Sequence, residues 1–409
     1  MFVVRSICAF VTISPSDVAD LLSSDDLEQT KLFSLLSKVS EGLLKLKEVV
    51  EKEGYVVQTV RIATNTFTEY LDLSTPETTL AQVNKIDAIL EKLEIHFFNL
   101  GPCLTPSQTS TYVPLLLAGR SRISMSSIVH ACDLSHASAS AAAIISLSKQ
   151  TSDGINNFRY CMQSSTSLPG APFFPAAHAA NLLENGGRDN IRVAIGLENG
   201  KLANAGLAKC ETMHDIGTKF RDFYKSAVSP VVRSVAGAVK NMAGWEYIGL
   251  DSSLNPSLDE GGSVASAIEG CSWVNGGIGG TGVIGTAAAI TTCIQDLGLM
   301  KTGYCGIMLP VCEDRRLSEI QDGGRCKASY DVSHLMNVSS VCGVGVDTVP
   351  LPCDVEEDDV RGVILDVAGL AERWNKPLSV RMFPVPGKRK GERTEFDSPY
   401  LCNTKVFEL

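Results

Sequence analysis

Short runs rich in Val, Ile, Leu and Phe alternate along this chain with longer stretches in which apolar residues recur every three or four positions. The first kind reads as strands buried on both faces and the second as amphipathic helices. Ten strand candidates lie at 3–13, 56–64, 96–100, 122–129, 157–163, 191–197, 247–250, 303–309, 341–346 and 378–383, most of them bounded by Gly, Pro, Asn or Ser. Between them, 25–53 places Leu32, Leu35, Leu36, Val39, Leu43, Leu46 and Val50 on one helical face, with Gly54 as its stop. Residues 79–93, the Ala/Ser-rich 135–147 and 356–374 repeat the helical pattern, and 214–243 is expected as a helix pair broken near Pro230. The alternation continues to the end without a composition shift, so one α/β domain is expected over 1–409, with 386–409 as an extension packed on it.

Polar clusters close many of the apolar runs: Asn65-Thr66, Asn99-Leu100-Gly101, Glu198-Asn199, Asp251-Ser252-Ser253, Glu313-Asp314 and Asp347-Thr348. Parallel α/β folds carry their chemistry at the carboxyl ends of strands, so the pattern points to an enzyme-like cavity. Glu198, Asp251 and Asp347 are the catalytic carboxylate candidates, with Asn199, Ser252, Asp259 and Glu313 expected to contact substrate. A turn explains Asn199-Gly200 but not Glu198, and Asp251 has no capping role at a strand end. Asp259 divides between capping a helix that begins near Ser263 and touching a ligand. Because Asp251 and Glu198 each follow an apolar strand directly, both are expected to face one cavity, and removing either charge to cut turnover by roughly a hundredfold.

The proline-stiffened run from Pro172 to His178 offers Phe173 and Phe174 as apolar walls and His178 as an acid/base. The alternative is that the rings plug the core and the imidazole bonds a carbonyl. Cys305 joins the substrate-contact candidates, although it and Cys342 lack a visible base and cysteine commonly fills cores as a small hydrophobe.

A formal charge of −10 argues against a nucleic-acid footprint, and no stretch is long and apolar enough to cross a bilayer. The basic run Lys388-Arg389-Lys390 with Arg393 reads as a solvated turn. The 13 scattered cysteines, without a Cys-x-x-Cys pair or zinc-like spacing, suggest free thiols in a reducing compartment, with cytoplasm the expected location. Oxygen-rich carboxylate clusters suit Mg²⁺ or Ca²⁺ better than zinc, with no metal ligand assigned. His130 and His136 around Cys132-Asp133 fit a helix start better than a metal cluster. Gly277-Ile278-Gly279-Gly280-Thr281-Gly282 has the spacing of a dinucleotide loop, but the residues before it make a poor strand and no acid follows at the ribose distance. A flexible or substrate-covering loop is the better expectation.

Taken together, several of these segments resemble the DUF711 (UPF0210) family. The residues are Gly196-Leu197-Glu198, Gly249-Leu250-Asp251-Ser252-Ser253-Leu254 with Pro256-Ser257, Ser263-Val264-Ala265, Gly303-Tyr304-Cys305-Gly306, Leu309-Pro310-Val311 with Glu313-Asp314, and Cys342-Gly343-Val344-Gly345-Val346-Asp347 with Val349-Pro350. The resemblance implies a ten-stranded α/β barrel similar to that of pyruvate formate-lyase and class I ribonucleotide reductase, with helices outside. It supplies no general reaction. The chain departs from bacterial members near its end, where they are glycine-rich and it has Phe396-Asp397-Ser398-Pro399-Tyr400. Radical enzymes of that fold use a C-terminal glycine loop and paired cysteines, and neither signature is present here. The expectation is therefore a non-radical small-molecule enzyme, a lyase, isomerase or cyclase using carboxylates for acid/base and electrostatic catalysis, an acidic pocket suiting a cation such as an iminium. A non-catalytic metabolite-binding or regulatory protein is the alternative. A small-molecule substrate is expected, with no nucleic-acid or membrane partner, and a homo-oligomer is compatible with the sequence.

Overall fold

A computed structural model describes residues 2–165, 170–180, 190–324, 326 and 328–409. Nine strands form one mostly parallel sheet: β1 (Val3–Val11), β2 (Val57–Thr64), β3 (Phe98–Cys103), β4 (Ile123–Val129), β5 (Tyr160–Ser164), β6 (Ile191–Glu198), β7 (Trp245–Asp251), β8 (Gly345–Leu351) and β9 (Ser379–Pro384). Their order is β7-β6-β1-β2-β3-β4-β5-β9-β8. The joints β1–β6 and β5–β9 are antiparallel and the others parallel. The run at 303–309 does not join the sheet. It follows β7 through single bridges, Leu250 to Lys301 and Leu254 to Ile307, and Val311 donates its amide to Asp347 O on β8 at 3.1 Å.

The strands alternate between two different environments. Ile7, Ala9, Val11, Ile62, Met125, Met162, Val193 and Ile195 are buried in the main core, with Leu36, Val39 and Leu43 of the helix Lys31–Lys52 and Ile364 and Val367 of the helix Glu357–Trp374. On the other face, Cys8, Phe10, Ala63 and Ala194 pack on Ala177 and Ala179 from a segment inserted at 170–180. Small side chains leave room there for backbone to lie against backbone. That segment is tied to four strands: Ser6 donates to Pro172 O (2.9 Å), Asn99 to Pro175 O (2.7 Å) and Gln163 to Ala176 O (2.8 Å), while Thr64 O accepts from Ala179 N (2.8 Å). A loop inside a protein must satisfy its peptide groups, and polar inward positions on the strands do this.

Register shifts place particular side chains on this inner face. Val4 and Ser6 of β1 pair with the successive residues Leu197 and Gly196 of β6, so Arg5 is an extra residue. On β7, Ile248 is extra between Tyr247 and Gly249 and turns toward the alanine cluster. On β8, Asp347 and Thr348 together face Arg381 of β9, and Thr348 takes a left-handed backbone at φ 46°. Bulges of this kind redirect one side chain at the expense of a regular ladder.

Two expectations are corrected by packing, and the doubt about a dinucleotide loop is borne out. The helix Lys219–Lys240 runs through Pro230 unbroken, because Val228, Val231, Val232 and Val235 bury its face. The helix Val264–Glu269 is capped by Ser263, whose Oγ accepts from Ser266 N, and Asp314 Oδ2 accepts from Val264 N (2.9 Å) and Ala265 N (3.1 Å); Asp259 has no part in the cap. The glycine run at 277–282 is folded onto itself and onto 328–329, with Ile278 N donating to Glu269 Oε1 at 2.9 Å, and a helix rather than a strand precedes it. Asp133 caps the helix Leu134–Ser148 by accepting from His136 N, and His136 Nε2 lies 2.8 Å from Thr109 Oγ1. All 13 cysteines are unpaired thiols. Among the described residues no helix is long and apolar enough to cross a membrane.

Candidate functional site

The inner face of the sheet encloses, with its mouth, a cavity of about 860 Å³. Arg5, Arg61, Ser124, Cys161, Asp347, Ser379 and Arg381 reach it from six strands, and Phe173 to Ala176 close one side from the inserted segment. Phe97, Phe158, Arg159, Tyr304, Glu313 and Tyr400 complete much of its wall. Size and composition are those of a small-molecule site, apolar walls carrying a few fixed polar groups.

Five side chains form a continuous ionic row. Arg5 binds Glu198 through Nη1 (2.9 Å) and Glu313 through Nη2 (2.7 Å). Arg381 binds the other oxygen of Glu313 (2.5 Å) and grips Asp347 side-on, Nε to Oδ1 at 2.6 Å and Nη2 to Oδ2 at 3.0 Å. Burial works against the Arg381 cation, yet its two carboxylates raise its pKa above the ordinary arginine value. Glu198 shows the opposite balance: burial raises its carboxyl pKa despite Arg5.

Two further guanidinium groups face the cavity without such partners. Arg61 is only 5% exposed, and its Nε donates to Thr59 Oγ1 at 2.9 Å. Its charge lies over the rings of Phe97 (4.8 Å) and Phe174 (5.4 Å), and among the described residues no carboxylate pairs with it. Burial first, then repulsion from Arg5, lowers its pKa to about 9. Arg159, half-buried, likewise has no ion pair among the described residues, and burial lowers its pKa to about 10. Tyr400 stacks on Phe158 with centroids 5.9 Å apart and meets Phe97 edge-on at 6.3 Å. The Tyr304 hydroxyl bonds Ser379 Oγ, and burial raises its pKa well above the usual phenol value.

Of the residues singled out in the sequence, Phe173, Phe174, Glu313 and Asp347 line this cavity together, and Glu198 lies behind Arg5. Asp251 is fully buried beyond the wall: Oδ1 accepts from Ser253 N (3.0 Å), Ser253 Oγ (2.6 Å) and Cys305 N (3.0 Å), and Oδ2 from Tyr304 N (2.8 Å). It thus fixes the backbone that carries Tyr304, at a place where Cys305 adopts φ 46°. Desolvation raises its carboxyl pKa against those four bonds. Asn199 and Ser252 are also occupied by protein, Asn199 with Tyr224 Oη (2.8 Å), Ser253 O (2.9 Å) and Asn255 N (2.8 Å), and Ser252 with Ile294 O (2.7 Å). His178 is buried in the inserted segment, its Nδ1 accepting from Ala180 N at 3.3 Å, and burial lowers its pKa to about 4. Cys305 donates to Thr302 O at 3.3 Å, with burial raising its thiol pKa to about 11. Asp259 is on the surface, paired with Lys201 at 2.8 Å.

Among the described residues no three His, Cys, Asp or Glu side chains group as a metal site would need. Glu313 and Asp347, the carboxylates of the cavity wall, spend their oxygens on arginines instead. Sequence reasoning passed over those arginines. Their signal was present: Arg5, Arg61 and Arg381 each interrupt an apolar strand, where an unpaired charge is costly.

The fold and cavity define an α/β protein with a polar-walled cavity on the inner face of a mostly parallel sheet. The chain matches the family described as Uncharacterised ACR (DUF711) over residues 1–398 and belongs to that family. It is 32% identical over 162 residues to a UPF0210 protein of Pyrobaculum arsenaticum, covering 39% of this chain and 35% of that one. To the UPF0210 protein MK1214 of Methanopyrus kandleri it is 30% identical over 175 residues, 41% of this chain and 37% of the relative. The match to PAE3581 of Pyrobaculum aerophilum is longer, 27% identity over 239 residues, 56% of this chain and 50% of the relative. The chain thus aligns with about a third to a half of the length of these curated relatives.

Proposed function

We propose that this protein is a non-radical small-molecule enzyme of the lyase, isomerase or cyclase kind, working by acid/base and electrostatic catalysis in the arginine-walled cavity. The observation that carries this reading is the ionic row Glu198–Arg5–Glu313–Arg381–Asp347, in which charges are held in place before any ligand arrives. Fixed charges aimed at a reacting centre need little reorganisation in the transition state, which is the largest single source of many enzymes' rate. In this reading Asp347, with a fifth of its side chain exposed, takes the substrate proton. The Tyr304 hydroxyl, which keeps its proton and is oriented by Ser379, donates to the developing oxyanion. Arg381 and Arg5 hold the negative charge. Asp251 acts at one remove, by holding the Tyr304 amide.

The same reading takes the sheet as a pyruvate formate-lyase-like barrel, with the run at 301–311 spanning the gap between β7 and β8. The single bridges to β7 and the amide of Val311 on Asp347 O favour it. Residues 170–180, which fill the inner face, include no cysteine, in keeping with chemistry that needs no thiyl radical. Incubating the protein with a cell-extract metabolite fraction and following individual masses tests the proposal. Depletion of one compound with growth of another, cut at least a hundredfold in Asp347→Asn and tenfold in Tyr304→Phe, is expected. A compound retained by the protein while every pool stays constant would favour the non-catalytic binding protein instead.

A further inference from the structure

Resting on the reading of this cavity as the substrate site, we propose that its substrate is an anion, a carboxylate or phosphate ester attached to a flat or apolar group, anchored by Arg61 and Arg159. The charge balance points this way. Among the described residues four guanidinium groups line the cavity, and against them stand Glu313 and Asp347, with Glu198 behind Arg5 as a third carboxylate. The three carboxylates are consumed by Arg5 and Arg381. The charge left unpaired around the cavity is therefore positive. The acidic pocket expected from the carboxylates alone is reversed by arginines that stand beside them.

Arg61 carries the argument furthest. A guanidinium only 5% exposed normally has a carboxylate or a set of carbonyls on its five donors. Among the described residues Nε alone has a hydrogen-bond partner, Thr59 Oγ1, and two aromatic faces take the rest of the charge at 4.8 and 5.4 Å. Aromatic faces hold a cation weakly compared with an oxyanion, and they leave the N–H edges free for one. The depressed pKa of Arg61 is the electrostatic trace of the same deficit, which a bound anion would relieve. Arg159 follows Phe158 in the chain and also lines the space, whose rings Phe174, Phe97, Tyr400 and Phe158 meet one another in turn. A ligand with a planar apolar part between the rings and an oxyanion at the guanidinium edges satisfies both at once.

Calorimetric titration with phenyl phosphate, benzoate and benzylamine, in low and in 0.5 M salt, tests this on the protein as it stands. Phenyl phosphate or benzoate is expected to bind at least tenfold more tightly than benzylamine, and the tighter of the two identifies the oxyanion preferred. Arg61→Gln and Arg159→Gln should each weaken that anion at least tenfold, and Arg61→Gln should leave the ligand-free melting temperature unchanged or higher, since an unpaired buried charge is removed. Should Arg61→Gln fail to fold, Arg61→Lys replaces it, with the same loss expected because a point charge cannot grip two oxygens. Benzylamine binding as tightly as both anions, no anion binding at all, or undiminished anion binding in both variants would overturn the proposal. Anion binding with no turnover of any metabolite would instead count against the enzymatic reading and leave this one standing.

Discussion

Two buried polar regions lie on either side of Tyr304, and they are built on opposite principles. Around Asp251, acceptors and donors are matched within the protein: both carboxylate oxygens are filled by Ser253, Tyr304 and Cys305, and neighbouring Asn199 and Ser252 are spent on Tyr224, Ser253, Asn255 and Ile294. Around Arg61, a buried cation rests on rings and one threonine hydroxyl. A filled network fixes one geometry, whereas an unfilled one leaves donors unspent. Buried polarity alone does not separate the two regions; what differs is whether the charge has a counter-charge or a full set of hydrogen bonds beside it.

The largest effect is expected from breaking the filled side. Asp251→Ala leaves the Tyr304 and Cys305 amides and the Ser253 hydroxyl without their acceptor and should cost about 3–5 kcal/mol of stability by urea unfolding. A cost under about 1 kcal/mol would show that Asp251 is dispensable to the scaffold. His178 comes next. Its pKa is near 4 in the folded chain against about 6.5 unfolded, so the unfolded state binds more protons between those values. Stability is fully present above pH about 6.5 and falls as pH drops toward 4, by roughly 3 kcal/mol in all at about 1.4 kcal/mol per pKa unit. A His178→Gln variant should flatten that part of the stability–pH curve, and an unchanged slope would place the acid sensitivity elsewhere.

The unfilled side is probed more gently. Glu313→Gln removes the carboxylate shared by Arg5 and Arg381, making the cavity more positive, and should tighten phenyl phosphate about fivefold, ~1 kcal/mol. Weaker binding in that variant would mean that the row must stay intact to shape the site. The smallest change is expected from Tyr400→Ala, which loses the stack on Phe158 and should weaken the same probe by about 0.5–1.5 kcal/mol with little change in stability.

Much of the frame was legible before any coordinates. Eight of the ten apolar runs became strands over most of their length and the run at 341–346 meets β8 only at Gly345 and Val346, because a β-branched stretch of the right length between Gly, Pro or Asn has few other uses. The run at 303–309 did not, since Asp251 captures the amides of Tyr304 and Cys305 that a ladder would have used. The cavity was half legible. Phe173, Phe174, Glu313 and Asp347 stand out by their place after strands or in a stiff turn, while Arg5, Arg61 and Arg381, single charges within apolar runs, were passed over.

The sequence by itself determined the alternation of strand and helix, the near-parallel sheet and the family, because periodicity and turn chemistry act over a few residues and need no partner. Which carboxylates are structural and which line the cavity was decided only in three dimensions. A bulge at Arg5 and another at Asp347-Thr348 turn those side chains inward, and a period-two reading cannot anticipate a skipped pairing. The sign of the cavity was decided there too, since the electrostatics of a buried charge depend on neighbours far away in sequence: Arg5 meets Glu313 across 308 positions.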